Sequence, residues 1–175
     1  MNRQILATIA LASLIRVANA AVAEPAGISA ALRAPIGEEA QFVLQAQGVQ
    51  IYACKPRAND AYAYQWTFVA PEASLSEGGN PIGTHGAGPT WESTSDRSSV
   101  KGAVRQRQDG GAGNIPWLLL TGTATEGAGK FAGVTSIQRV ATRGGVEPAD
   151  TCEASKMGQE IRVPYTADYY FYKRK

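Results

Sequence analysis

The tightest constraint in this chain is a strict two-residue alternation at residues 62–69 (YAYQWTFV). Tyr62, Tyr64, Trp66 and Phe68 fall on one side; Ala63, Gln65, Thr67 and Val69 fall on the other. A period of two belongs to a pleated strand, and the aromatic content suits one. Residues 41–46 repeat the pattern, with Phe42, Leu44 and Ala46 set against Gln41 and Gln45. Gly48 interrupts, and residues 49–55 read as a second strand with Val49, Ile51 and Ala53 opposite Gln50, Tyr52 and Cys54. Pro71 is read as the end of the aromatic run. Further short strands are expected near Leu75 and over residues 82–85, 89–94, 99–108 and 134–142, with Gly, Pro, Asn and Ser turns between them. Residues 115–120 (IPWLLL) are continuously apolar, which predicts a strand buried on both faces. The chain closes on an aromatic segment, residues 161–172, bent at Pro164. One short helix is predicted over residues 150–157, where Asp150 and Glu153 have capping-box spacing and Gly158 can terminate it. About nine or ten short strands predict an all-β fold, an antiparallel β-barrel or β-sandwich.

The N-terminus carries a different signal. Arg3 precedes an apolar run at residues 5–15, too short to span a bilayer, and the Ala18-Asn19-Ala20 triplet has a small-x-small cleavage pattern. This reads as a secretory signal peptide over residues 1–20, cut after Ala20 or, alternatively, after Ala23. An arm then covers residues 21–38, and a single β domain covers residues 39–175. The expected address is periplasmic or extracellular, with no membrane span. The full chain has 17 Lys and Arg against 15 Asp and Glu. Arg3 and Arg16 lie in the signal and no acid does, so the exported chain is formally neutral. Lys101, Arg105 and Arg107 then read as a solvated strand face, and no nucleic-acid partner is expected. Cys54 and Cys152 are the only cysteines. In an oxidising compartment such a pair is expected to form a disulfide.

Several segments together carry a family resemblance. They include Val49-Gln50-Ile51-Tyr52-x-Cys54, Trp66 with Phe68, Ala70-Pro71-Glu72-Ala73-x-Leu75 and His85-x-Ala87-Gly88-Pro89-Thr90-Trp91-Glu92. Ile115-Pro116-Trp117-Leu118-Leu119-Leu120, the stretch from Thr135 to Gly145, Cys152 and the stretch from Val163 to Tyr172 complete them. From about residue 33 to 172 the chain resembles a secreted bacterial and fungal family, domain of unknown function 3455. The resemblance implies an exported single domain with paired cysteines, and supplies no reaction. Some fungal members carry a dehydrogenase label, but no GxGxxG opens a helix after a strand here. Members commonly have an aromatic residue after the histidine, where this chain has Gly86.

His85 is the only histidine. That excludes sites needing two imidazoles, and neither a metal nor a cofactor is expected. No serine sits in a GxSxG elbow. His85, Trp91 and Glu92 lie within eight residues around a glycine loop, and loops on rigid scaffolds often carry function. A tight turn made by Gly86 and Gly88, with His85 bonded locally, is the plainer explanation. Aromatic residues with polar tips suit small ligands, so His85, Trp91, Tyr165 and Tyr169 are the candidate binding residues. A core role accounts for such residues as well. The leading reading is a non-enzymatic domain binding a small molecule or an envelope partner. The alternatives are an enzyme using His85 with Glu92 or Asp168 as its acid–base pair, and a structural envelope protein without a pocket. Asp168 would be costly to bury alone, and Arg139 is its expected partner.

Overall fold

The structure, a computed structural model, describes residues 22–175. The segment read as a signal peptide, residues 1–20, lies outside the described residues. Eight strands run in chain order: β1 (Glu38–Arg57), β2 (Asp60–Glu77), β3 (Asn80–Gly86), β4 (Thr90–Ser93), β5 (Ser99–Gln108), β6 (Trp117–Glu126), β7 (Val134–Gly144) and β8 (Glu160–Arg174). Each pairs antiparallel with the next, and β8 pairs antiparallel with β1, closing the sheet into a ring. Closure pairs the first and last strands, so neither stands as a free edge of the sheet. The all-β antiparallel expectation holds, and of its two architectures the closed one is observed. Among the described residues, no helix is long and apolar enough to cross a membrane.

The strands are fewer and longer than expected because two residues read as breaks do not break them. Gly48 sits inside β1, opposite Ala73 and Tyr165. A Cβ there would lie 2.1 Å from the Glu72 carbonyl oxygen, so glycine permits a close crossing of β1 and β2. Pro71 sits inside β2 opposite Gln50, while pairing between β2 and β3 starts only at Ala73. Its missing N–H therefore falls where β2 has no second neighbour.

The inward face of β1 carries Phe42, Leu44 and Ala46 and, past Gly48, Gln50, Tyr52 and Cys54. One end of the ring is filled. Phe42 stacks on Phe171 at 4.8 Å between ring centroids, and Phe131 meets Phe171 edge-on at 5.1 Å. Leu44, Leu75 and Ile137 pack with them. Lys130 closes this end, its Nζ 4.5 Å above the Phe42 ring and 2.8 Å from a Glu77 carboxylate oxygen. Asp96 ties the turn after β4 to the loop before β7, accepting from the Ser98 hydroxyl and the Lys130 backbone N–H. These bonds hold its carboxyl well below the usual range.

The Leu118–Leu120 run is buried on both faces, as its composition predicted. Leu118 and Leu120 join the interior, and Leu119 is covered outside by the N-terminal arm. That arm is anchored from Ser29 onward. Leu32 is fully buried, and its carbonyl accepts from the Gln138 side chain.

Cys54 and Cys152 form a disulfide, with 5.6 Å between their Cα atoms. It fastens the β7–β8 connection over Tyr52 and Trp66. The predicted helix is reduced to one 3-10 turn, Ala154–Lys156. The Trp66 indole N–H takes the Asp150 carbonyl at 2.7 Å, and Glu153 is extended without capping. These tethers hold residues 150–153 out of helical geometry. Tyr62, in the strongest strand signal, lies at the exposed end of the β1–β2 hairpin with a relative exposure of 96 %.

Candidate functional site

The end of the ring opposite the phenylalanines is hollow. A cavity of about 570 Å³ opens there. Its wall draws on β2 (Phe68, Val69, Pro71), the β3–β4 turn (Gly88, Pro89), β5 (Val104, Arg107) and β6 (Leu118, Leu120). Behind these stand Gln50 and Tyr52 of β1, His85 of β3, Trp91 of β4, Arg139 of β7 and Tyr169 of β8. One feature of the sheet makes the opening: β3 and β4 are short, so β2 loses a partner on the Phe68–Pro71 side of Ala73. Phe68 and Val104 are 49 % and 41 % exposed, so apolar surface rims the mouth.

Three rings meet at the floor. His85 stacks face to face on Trp91 at 4.5 Å with an 8° tilt, and Tyr169 meets both edge-on at 5.0 and 5.3 Å. Gly102 makes room for the indole: a Cβ there would come within 3.0 Å of Trp91 Cζ3. The His85 Nδ1 lies 2.9 Å from the Thr90 carbonyl oxygen. A carbonyl only accepts, so Nδ1 carries the proton and Nε2 is left as an acceptor in the neutral ring. Burial lowers the imidazole pKa to about 4, so the ring is neutral near pH 7.

The polar groups around the floor are poorly satisfied. Gln50 Nε2, Trp91 Nε1 and Tyr169 Oη are buried without a hydrogen-bond partner, and so is Tyr165 Oη just behind. Buried polar groups are nearly always paired, so such a cluster needs an explanation. Arg139 and each other's hydroxyl are near enough to Tyr165 and Tyr169 to act on their ionisation, as Gln50 is to Tyr165, without full hydrogen-bond geometry among the tyrosine hydroxyls. Burial raises the pKa of both tyrosines, which keeps them neutral donors. Arg139 donates through Nε and Nη2 to the Pro116 carbonyl at 3.1 and 2.8 Å. No aspartate or glutamate lines the cavity.

The structure brings His85, Trp91 and Tyr169 to one wall. Tyr165 is buried in the layer behind it, outside the lining. Glu92 is not there: on β4 it faces away from its buried neighbours Trp91 and Ser93 and pairs with Arg97 at 3.3 Å. Asp168 lies in a separate surface groove with Gln45, Ser76 and Arg143. It does not pair with Arg139. Arg139 stands opposite Tyr169 in the β7–β8 register, so those two share the inner face and Asp168 takes the outer one. Burial raises the Asp168 pKa. Gly86 is off the cavity wall, and a Cβ there would meet nothing within 4 Å.

Gln50, Tyr52, Arg107 and Arg139 line the cavity without having been singled out as site residues. For Gln50 the signal was its alternation with Tyr52 and Cys54, the face that turns inward. Arg107 was masked by a bulge. The β5–β6 register slips between Val104 and Gln106, so Val104 and Arg107 both reach the cavity where strict alternation would oppose them.

Neither a curated protein nor a solved structure matches the chain. Residues 35–173 match a family described as protein of unknown function (DUF3455). That span runs from the arm through nearly the whole of β8, covering the ring, the disulfide and the cavity, and the chain belongs to this family.

Proposed function

We propose that this chain is an exported ligand-binding domain whose open barrel end takes a small molecule with a largely apolar body. The observation that carries the reading is a preformed, aromatic-floored cavity of about 570 Å³ whose wall lacks carboxylates. Binding cavities are typically concave, largely apolar and furnished with a few convergent polar groups. Eight-stranded barrels are wide enough to hold one small ligand. An acid–base enzyme built on His85 would need Glu92 or Asp168 beside it, and both lie elsewhere. A purely structural role would have no use for a hollow end. The disulfide agrees with an oxidising, extracytoplasmic address.

The test uses the neutral fluorescent dye N-phenyl-naphthylamine on the purified exported chain. One saturable site per chain, with a raised melting temperature, is the expected result. Val104→Trp, at the half-exposed rim, should weaken binding about tenfold or more by filling the mouth. Unchanged binding in that variant, or no binding by either protein, would refute the reading.

A further inference from the structure

The unsatisfied groups of the cavity are unequal in kind. Gln50 Nε2 and Trp91 Nε1 can only donate, and both are unpartnered. Tyr169 Oη has a free O–H, and the residue is 1 % exposed. Arg139 spends two of its N–H groups on Pro116, and no ion pair to it is found among the described residues. Arg107, at the mouth, likewise has no acid partner among them. Donors and two cations therefore converge on a cavity to which no carboxylate contributes. A cation left beside apolar walls is unfavourable unless something of opposite charge completes the site. Charge-assisted bonds from a guanidinium to an oxyanion are the strongest that such a donor set can make.

We infer that the ligand is an organic anion, an apolar or aromatic body bearing one carboxylate or sulfonate, with its charged end on Arg139 and its approach favoured by Arg107. This rests on the cavity reading above and adds the chemical class. Tyr169, opposite Arg139 in register, and Gln50 of the same lining would share the acceptor oxygens. The His85–Trp91 stack and the Phe68–Val104 rim would hold the apolar body.

Two dyes of nearly equal shape separate the two readings: anilinonaphthalene sulfonate, which is anionic, and N-phenyl-naphthylamine, which is neutral. The anionic dye should bind roughly tenfold to a hundredfold tighter, the margin of a charge-assisted contact. Arg139→Gln should abolish that margin by weakening the anionic dye far more than the neutral one. If loss of the Pro116 bonds prevents Arg139→Gln from folding, Arg107→Glu at the exposed mouth serves instead. It should weaken the anionic dye severalfold more than the neutral one. Equal binding of both dyes by the unmodified protein would overturn the anion inference and leave the cavity reading standing. So would a margin that survives Arg139→Gln, or one that Arg107→Glu leaves undiminished. Binding of neither dye would overturn both.

Discussion

The two ends of the ring are built from the same eight strands and differ in what they enclose. At one end Phe42, Phe131 and Phe171 interlock and pack with Leu44 and Ile137. At the other, strand pairing thins and aromatic rings stand against a cavity that holds unpaired donors. The filled end is arranged for stability. The hollow end gives up packing and hydrogen bonding, which is the expected cost of a site that is completed by something else.

The comparison can be broken most sharply with phenylalanine truncations. Phe171→Ala at the filled end should destabilise by about 3–5 kcal/mol, measured by urea unfolding, because it leaves a cavity among packed rings. A loss below about 1 kcal/mol would mean that this end is not the stabilising core.

The hollow end has its own brace. Cys54→Ser with Cys152→Ser should cost about 2–4 kcal/mol. Amide exchange should then rise first in β1 beyond Gln50 and in the β7–β8 connection, while Phe42 and Phe171 stay protected. Uniform loss of protection would remove the distinction between the ends.

Acid should also act on the hollow end. Between the ordinary imidazole pKa of 6.5 and the folded value of about 4, the unfolded chain binds a proton that folded His85 does not. Stability therefore falls as pH drops through that window and levels off below it. The spread bounds the loss at about 3 kcal/mol. Asp168, whose pKa burial raises, contributes with the opposite sign. It is common to the native chain and His85→Gln, so their difference isolates the imidazole. Because His85 is the only histidine, parallel pH profiles for the two chains would contradict its buried, neutral state. Asp96 at the filled end acts in a lower window: its depressed pKa stabilises above the ordinary carboxyl range and is lost as pH falls beneath it.

The smallest effect is expected at the rim. Phe68→Ala should cost about 1 kcal/mol or less, since half of the ring is already in water. It should weaken the neutral dye instead. A large stability loss with unaltered binding would make Phe68 a core residue.

Much of the filled end was legible in the sequence. The Phe42–Leu44–Ala46 alternation gave the correct inward face, because two-residue periodicity reports burial directly, while the continuous Leu118–Leu120 run, which reaches on to the cavity wall, gave burial on both faces. The cysteine pairing was legible from the number of cysteines and the compartment expected for them. The hollow end was harder to read, since it depends on departures from regularity. Gly48 and Pro71 looked like strand ends, yet each is tolerated inside a strand by a crossing or an unpaired edge. The bulge in β5 brought Arg107 to the cavity mouth against its period. Arg139 reads as an ordinary polar position in a strand, and only the β7–β8 register shows that it shares a face with Tyr169. Of the singled-out residues, His85, Trp91 and Tyr169 converge on the cavity, Tyr165 backs it, and Glu92 and Asp168 stand apart.

The central claim is that the hollow end is a binding site. Its most direct test is a crystal of the exported chain soaked with N-phenyl-naphthylamine. The account predicts difference density for one dye against His85, Trp91 and Tyr169, between Phe68 and Val104. A cavity that stays empty or fills only with side chains, with dye found solely on the outer surface, would contradict it.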